Sequence, residues 1–296
     1  MSAATGPGQD RALLGPAEIR DLAELIGVTP TKKLGQNFVI DGNTVRRIVR
    51  TAGVAASDRV VEVGPGLGSL TLGLTETGAS VTAIEIDRRL AEQLPITVAE
   101  LQPEARLRVV HRDALEIVAA DLPENPEVLV ANLPYNVSVP ILLHLLETFP
   151  SIRAGVVMVQ AEVGHRLVAG PGSKVYGSPS AKAAWYGQWR LAGQVSRQIF
   201  WPVPNVDSVL IGFERAAELP GTEAERQRTF ALANAGFAQR RKMLRQSLQP
   251  VLGDLAQTTA ALEAAGIDPQ LRSEQLSVAD FLTLARAVPA PATDAG

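Results

Sequence analysis

A glycine-rich segment that directly follows an apolar run constrains the fold of this chain more than any other feature of its sequence. Residues 60–63 (Val-Val-Glu-Val) lead into residues 64–68 (Gly-Pro-Gly-Leu-Gly), and a helical pattern begins at Ser69. Glycines at such a junction let the backbone turn sharply and bring bare N–H groups close to a ligand. A second apolar run ends near Glu85, about 20 residues further on, where a carboxylate can bind both hydroxyls of a ribose. The segment therefore predicts a site for an adenosine-containing cofactor.

The spacing of these glycines distinguishes between cofactors. Nicotinamide dehydrogenases use G-x-G-x-x-G and rest a pyrophosphate on the helix N-terminus. This chain has G-x-G-x-G with Glu62 just before it, which is closer to methyltransferases that use S-adenosylmethionine, and an acid beside the loop suits a cationic cofactor. No Lys-Ser/Thr follows the loop, so a Walker-type nucleotide site is excluded. A glycine-rich turn without a ligand is the alternative interpretation.

Short apolar runs and helical patterns alternate along the middle of the chain. The runs predict seven strands, at residues 59–63, 80–86, 107–111, 128–131, 156–160, 194–199 and 207–213. Helical patterns at about 69–77, 88–101 and 138–148 separate most of the first five, which favours a parallel, doubly wound α/β sheet. The last two runs follow each other across a turn-like segment at 201–205, as in an antiparallel hairpin at one sheet edge.

The pattern changes again after Arg215, where strand signals stop. Helical patterns occupy about 223–237, 239–249, 254–265 and 277–287, and two more lie near the start of the chain, at 16–26 and 43–52. These changes predict four regions. They are an N-terminal extension at 1–29 that is partly disordered, a catalytic domain at 30–218, a helical domain at 219–288 and a disordered tail at 289–296.

An amide and an aromatic ring follow the fourth predicted strand, in the segment Asn132-Leu133-Pro134-Tyr135. Open α/β sheets bind ligands at the carboxyl ends of their strands. If the Asn132 side-chain oxygen and the Pro134 carbonyl accept the two N–H bonds of an adenine amine, the nitrogen lone pair can turn toward a sulfonium methyl group, while Tyr135 stacks on the base. An Asn-Pro turn with a core tyrosine is the alternative. Asp113, just past the third strand, is placed to accept from an adenine amino group or to cap a helix.

Composition excludes several other kinds of site and partner. The chain has no Cys, and its three His share no metal-ligand spacing, so we expect no disulfide, thiol nucleophile or metal site. A formal charge of −3 excludes a wholly basic coat protein. The sequence shows neither a signal peptide nor 18 uninterrupted apolar residues, which predicts a cytoplasmic protein without a membrane partner.

Two basic segments stand out from this slightly acidic average. Residues 226–247 contain six Arg or Lys and no acid, and residues 32–50 contain five against one acid. Both could follow the phosphates of a nucleic acid, although a solvated helix face is the alternative for the first. The residues predicted to bind RNA are Lys32, Lys33, Arg240, Arg241 and Lys242.

Taken together and in this order, the motifs resemble those of a known family. They are residues 33–38 (Lys-Leu-Gly-Gln-Asn-Phe), residues 62–68, the acids Glu85 and Asp113, residues 132–136 (Asn-Leu-Pro-Tyr-Asn) and residues 200–208 with the pattern Phe-x-Pro-x-Pro-x-Val-Asp-Ser. They resemble the ribosomal RNA adenine N6-dimethyltransferases over roughly residues 30–250. Residues 169–177 and the run Arg240-Arg241-Lys242 are similar to the small-subunit (16S) branch.

The resemblance implies a fold, a cofactor and a reaction. The fold would be a class I S-adenosylmethionine-dependent methyltransferase with a Rossmann-like seven-stranded sheet and a small C-terminal all-helical domain. The reaction would be dimethylation of two adjacent adenosines in the 3′-terminal hairpin loop of 16S rRNA, within an immature 30S subunit, by a monomer. The residues that it places at the cofactor are Asn37, Val39, Gly64, Gly66, Glu85, Asp113 and Asn132. It further implies that Tyr135 and Phe200 sandwich the target adenine.

Three other functions are open at this point. The same chemistry on 23S rRNA, as in the enzymes of macrolide resistance, is disfavoured by the helical domain. A nicotinamide dehydrogenase is disfavoured by the glycine spacing. A non-catalytic RNA-binding factor of ribosome assembly would keep the same fold and is not separated by the sequence.

Overall fold

The structure is a computed structural model that describes residues 13–30 and 37–288. Predictions for Lys32 and Lys33, for residues 1–12 of the N-terminal extension and for the tail at 289–296 lie outside the described residues. The described part of the chain contains nine strands. They are β1 Phe38–Val39, β2 Arg59–Val63, β3 Ser80–Glu85, β4 Arg106–His111, β5 Val128–Asn132, β6 Ala154–Gln160, β7 Gly187–Val195, β8 Phe200–Trp201 and β9 Ser208–Arg215.

Seven of these strands form one sheet, in the order β4-β3-β2-β5-β6-β9-β7. The pairs β4–β3, β3–β2, β2–β5 and β5–β6 are all parallel, which confirms the predicted doubly wound sheet. The chain runs outward from β2 to β4 on one side and from β5 to β6 on the other. The strand order therefore reverses between β2 and β5, where folds of this kind bind their ligands.

Twelve α-helices accompany the strands in the described residues. They are α1 Pro16–Leu25, α2 Gly42–Ala52, α3 Ser69–Glu76, α4 Arg88–Leu101, α5 Ser138–Thr148, α6 Ala161–Leu167, α7 Ser178–Tyr186, α8 Glu223–Ala238, α9 Leu244–Ser247, α10 Gln249–Leu252, α11 Leu255–Ala264 and α12 Val278–Ala287. Local signals set several of their ends. Asp41 caps α2 by accepting from the Thr44 N–H at 2.8 Å, and Gly53 ends the helix with a left-handed φ of 64°.

Two apolar clusters hold the sheet and its helices together. One cluster joins Ile48 of α2 to Val130 of β5 and to Phe200 of β8, all of them fully buried. The other joins Ile19 of α1 to Leu72 of α3 and Leu94 of α4. The buried β-branched side chains of the central strands are covered in this way, which explains why their sequences read as unbroken apolar runs.

The chain divides into two compact units. One unit comprises the residues up to 161 together with 192–212, and the other comprises 162–191 together with the residues from 213 onward. The second unit has its own apolar cluster, in which Tyr176 and Leu232 pack with Phe281. Residues 162–191 therefore pack with the C-terminal helices, whereas the sequence pattern groups them with the catalytic domain.

Two of the predicted elements differ from the structure for identifiable reasons. The strand expected at 194–199 is wrong, because β7 covers Gly187–Val195 and Arg197–Ile199 form a 3₁₀ turn. Most of β7 is exposed or only half-buried, as an edge strand can be, so it carries no apolar run. The single helix expected at 239–249 is also wrong. The amide of Leu244 bonds to the carbonyl of Leu271 rather than continuing a helix from Arg240, and two short helices follow.

Candidate active site

A cavity of about 250 Å³ opens at the carboxyl ends of the central strands, at the point where the strand order reverses. It lies wholly within the first unit. Its wall contains seven predicted cofactor residues and the predicted catalytic residue Pro134: Asn37, Val39, Gly64, Gly66, Glu85, Asp113, Asn132 and Pro134. The structure thus brings together residues that are up to 97 positions apart in the sequence.

The glycine loop forms a cradle in one side of this cavity. Gly64, Gly66 and Gly68 have φ angles of 66°, 58° and 98°, which favour glycine. A Cβ at Gly66 would lie 2.8 Å from the ring of Phe38, so the loop has no room for a side chain there. The Ser69 hydroxyl, in the first turn of α3, donates to the Val39 carbonyl at 2.6 Å and fixes the loop against β1.

Glu85 ends strand β3 beside this cradle and is almost fully buried. One of its carboxylate oxygens accepts from the Gly66 N–H at 3.2 Å and the other from the Asp87 N–H at 2.9 Å. Burial raises the pKa of Glu85 above its ordinary value, against the opposing effect of these two bonds. A carboxylate held in this way presents its remaining lone pairs to the cavity, as binding to a ribose requires.

Glu62 is a second buried carboxyl in the same wall. Its side chain accepts a 2.7 Å bond from the Thr71 hydroxyl. Burial raises the pKa of Glu62 to about 8, the bond from Thr71 lowers it, and the nearby Glu85 raises it further. From the sequence, Glu62 is recognised only as an acid next to the loop. Its burial could not be predicted, because it depends on the packing of α3 against the sheet.

Asp113 and Arg112 line the cavity just past β4. One carboxylate oxygen of Asp113 accepts from the Leu115 N–H at 2.9 Å, which orients the group. The guanidinium of Arg112 makes two bonds to Asp121, at 2.8 and 2.9 Å. Among the described residues of the cavity wall, Arg112 is the one cation, and its partner Asp121 lies outside the wall. The charged groups that remain in the wall are acids.

Asn132 ends strand β5 beside the glycine loop, because β5 is the neighbour of β2 in the sheet. Its amide nitrogen donates to the Asn37 carbonyl at 3.1 Å. That bond uses an N–H of the amide, so the side-chain oxygen is left as the acceptor for a ligand. The Pro134 carbonyl accepts one long bond, 3.3 Å, from the Val137 N–H and keeps a second lone pair.

Tyr135 and Phe200 lie in different surroundings. The Tyr135 ring is half-buried, and its hydroxyl lies 2.9 Å from the hydroxyl of Ser208. Burial raises the pKa of Tyr135, and the bond to Ser208 opposes that rise. Phe200 is fully buried in an apolar cluster and pairs with Val39 between β8 and β1. Neither ring belongs to the cavity wall, and the structure does not bring Phe200 to it.

The cations predicted to bind RNA divide into two kinds. Arg240 donates to Glu274 at 2.9 Å and to the Ser173 carbonyl at 3.3 Å. Arg226, in the same basic segment, is buried and donates to Glu223. Arg241 and Lys242 are exposed, so their charges face solvent.

The described ranges offer neither a metal-binding cluster nor a membrane-spanning helix. Residues 13–30 and 37–288 contain no group of three His, Asp or Glu side chains that could hold a metal ion. Within those same ranges, no helix is both long and apolar enough to cross a membrane.

The cavity fits S-adenosylmethionine. The glycine loop exposes its backbone in the cavity wall at Gly64 and Gly66, and the carboxylates of Glu85 and Asp113 suit a cationic cofactor rather than a phosphate. Together with the doubly wound sheet, this places the protein among the class I S-adenosylmethionine-dependent methyltransferases.

Comparison with known proteins specifies the family within that class. The family described as ribosomal RNA adenine dimethylase matches residues 28–288, and the chain belongs to this family. A protein of Leifsonia xyli named ribosomal RNA small subunit methyltransferase A is 73% identical over 92% of this chain and 98% of its own.

Two solved structures share the architecture. A dimethyladenosine transferase from Plasmodium falciparum aligns with a TM-score of 0.71 and 24% identity, over 83% of this chain and 95% of its own, which shows a shared fold. The 23S rRNA methyltransferase ErmE aligns with a TM-score of 0.62 and 28% identity, over 85% of this chain and 99% of its own.

Proposed function

We propose that the protein uses S-adenosylmethionine to dimethylate N6 of two adjacent adenosines in the 3′-terminal hairpin loop of 16S rRNA, during biogenesis of the small ribosomal subunit. The orientation of the Asn132 amide carries this proposal, because it leaves an acceptor oxygen at the edge of the cofactor cavity. The relative at 73% identity is named as a small-subunit methyltransferase, whereas the 23S rRNA methyltransferase is only 28% identical. The small subunit is therefore the favoured substrate.

The chemical task is to make an adenine amine attack a carbon. Its lone pair is delocalised into the ring, so the free amine is a poor nucleophile. In the first transfer, the Asn132 oxygen and the Pro134 carbonyl accept the two N–H groups of the amine and turn the lone pair out of the ring plane. When bound, S-adenosylmethionine would supply an electrophilic methyl group on a sulfonium, whose sulfur leaves as a neutral thioether when the methyl carbon–sulfur bond breaks. The methylated nitrogen is acidic and loses its proton to water, so the protein needs no general base.

The other residues hold the two reactants. Asn37, Val39, Gly64, Gly66, Glu85 and Asp113 bind the cofactor, with Glu85 at the ribose and Asp113 at the adenine amine. Tyr135 stacks on the target base, and its bond to Ser208 fixes the plane of the ring. A sandwich of the base between Tyr135 and Phe200 would require the Phe200 ring to leave its apolar cluster. We therefore assign Phe200 a structural role, in which it supports β1 next to Asn37.

The regions of the chain divide the work. We propose that the catalytic domain lies within residues 30–218, in the part of them that belongs to the first unit, and that the helices of 219–288 bind RNA, with Arg241 and Lys242 at phosphates. The substrate is an immature 30S subunit, the enzyme is a monomer, and it acts in the cytoplasm. An adenosine in a hairpin loop is already unpaired, so its extrusion into the pocket costs little.

A methyl-transfer assay with labelled cofactor tests this function on three substrates: immature small subunits, large subunits and naked 16S rRNA. We expect label in the small subunit, located at dimethyladenosine by digestion and mass spectrometry. Label in the large subunit alone would support the 23S rRNA alternative. Binding of the small subunit without label, by a protein that binds cofactor, would support a non-catalytic assembly factor.

A further inference from the structure

An exposed apolar turn connects β8 to β9, and no part of the proposed mechanism uses it. It consists of residues 202–206 (Pro-Val-Pro-Asn-Val) and is called here the 202–206 turn. Val203 is 62% exposed and Val206 is 43% exposed, and Pro202 and Asn205 are exposed as well. Single exposed apolar residues are ordinary on protein surfaces. Three of them within five residues, beside an active site, call for a physical reason.

The turn is held in one conformation from both sides. Arg197 donates to the Asn205 carbonyl at 3.2 Å and forms a 3.0 Å ion pair with Asp207. The Asp207 carbonyl accepts from the Ala161 N–H at 2.8 Å, and Pro204 is buried. A turn fixed in this way presents its exposed valines with little further loss of backbone entropy on binding.

The turn is continuous with both elements that position the target adenine. Its C-terminal end leads to Ser208, whose hydroxyl holds Tyr135 at 2.9 Å. Its N-terminal end follows β8, which pairs with β1 directly after Asn37, the residue that orients Asn132. A strand of RNA that places one base beside Tyr135 therefore brings its neighbouring nucleotides toward this turn.

The chemistry of the turn favours bases over phosphates or a protein. It contains no charged residue, and the adjacent Asp207 is neutralised by Arg197. Unpaired bases present flat apolar faces, which match the valines and Pro202, and polar edges, which match the Asn205 amide. The surface that two valines and a proline can offer is far smaller than the roughly 800 Å² that each partner buries in a stable protein interface.

We propose that the 202–206 turn binds the unpaired bases next to the target adenosine and thereby sets which loop nucleotides enter the site. This inference rests on the proposed rRNA substrate. It adds a specificity surface to the function rather than a step to the chemistry.

The variant Val203→Ser/Val206→Ser tests the turn, and Ile96→Ser, on the exposed face of α4 with 52% of its surface accessible, is the matched control. The substrate is the one that the wild-type protein methylates. We expect the double variant to raise the KM for RNA about 10-fold, with little change in kcat and an unchanged Kd for the cofactor. The slope of log Kd against log salt should stay at its wild-type value, because no phosphate contact is lost. Ile96→Ser should match the wild type.

An RNA with abasic sites beside the target adenosines completes a double-mutant cycle. If the turn binds those bases, the abasic RNA weakens wild-type binding about 10-fold and the double variant loses nothing further. Independent, additive losses would overturn the inference, as would wild-type KM in the double variant. Val203→Leu/Val206→Leu retains apolar surface and should keep wild-type affinity, which separates lost contact from misfolding. If the wild-type protein methylates no rRNA, the proposed function itself fails instead.

Discussion

Asn132 shows how one side chain acquires a chemical role from a distant backbone atom. Its amide nitrogen is committed to the carbonyl of Asn37, 95 residues earlier in the chain. The side-chain oxygen is therefore preorganised as an acceptor, and no reorientation is needed when a base arrives. The same amide on a free loop would present either end to the substrate.

Replacement of this side chain tests its role directly. We expect Asn132→Ala to lower kcat about 100-fold, because the amine loses an acceptor that aligns its lone pair. Cofactor binding, measured by calorimetry, should persist. Asn136→Ala is the matched control, since this exposed asparagine lines the same cavity. A wild-type kcat for Asn132→Ala would refute the alignment.

Glu62 makes the stability of the fold depend on pH. Its pKa is raised from 4.5 to about 8, so the folded protein keeps a proton there that the unfolded chain has released. Raising the pH through this window therefore destabilises the fold. Between pH 5 and 8.5, we expect the unfolding free energy of Glu62→Gln to fall by about 2–4 kcal/mol less than that of the wild type, measured by urea unfolding. The exposed Glu104→Gln should keep the wild-type profile, and an equally steep profile for Glu62→Gln would contradict the prediction.

At the scale of helices and strands, the sequence predicts some junctions between elements and misses others. The loop from β2 to α3 is predicted from its glycines alone, because a left-handed backbone is a local requirement. Helix α2 is likewise predicted from its apolar face and its cap. Strand β7 was missed because exposure at a sheet edge leaves no apolar pattern. The non-helical segment 239–243 was missed because the competing bonds come from residues 269–271.

A methyl group in the glycine loop tests the cradle. Gly66→Ala puts a Cβ 2.8 Å from Phe38 and forces a left-handed φ on alanine. We expect a loss of about 1–2 kcal/mol of unfolding free energy. The Kd for the cofactor should rise at least tenfold, measured by calorimetry. Gly170→Ala, where nothing lies within 4 Å, serves as control and should change neither value.

At the scale of the whole molecule, the net charge of −3 is an average over unlike surfaces. The buried acids Glu62 and Glu85 belong to the cofactor cavity. Arg241 and Lys242 are exposed in the second unit, whereas Arg240 is paired with Glu274. The basic run therefore contains one residue that supports local structure and two that are available to phosphates.

Salt dependence separates these roles. We expect Arg241→Gln/Lys242→Gln to lower the slope of log Kd for RNA against log salt by about 1.4, with cofactor affinity intact. Arg240→Gln should instead lower the stability of the second unit in thermal unfolding. Arg20→Gln/Arg88→Gln removes the same charge from exposed positions elsewhere and is the control. An unchanged slope for the Arg241 and Lys242 variant would exclude phosphate contacts at these residues.

The sequence by itself determined the doubly wound sheet, the glycine loop and the residue types at the strand ends, because backbone turns and apolar periodicity are local properties. Only the tertiary structure decided the bond of Asn132 to Asn37, the burial of Phe200 and the raised pKa of Glu62. Each of these depends on contacts between residues far apart in the chain or on exclusion from water. A linear pattern does not specify either quantity, since both arise when helices close over the sheet.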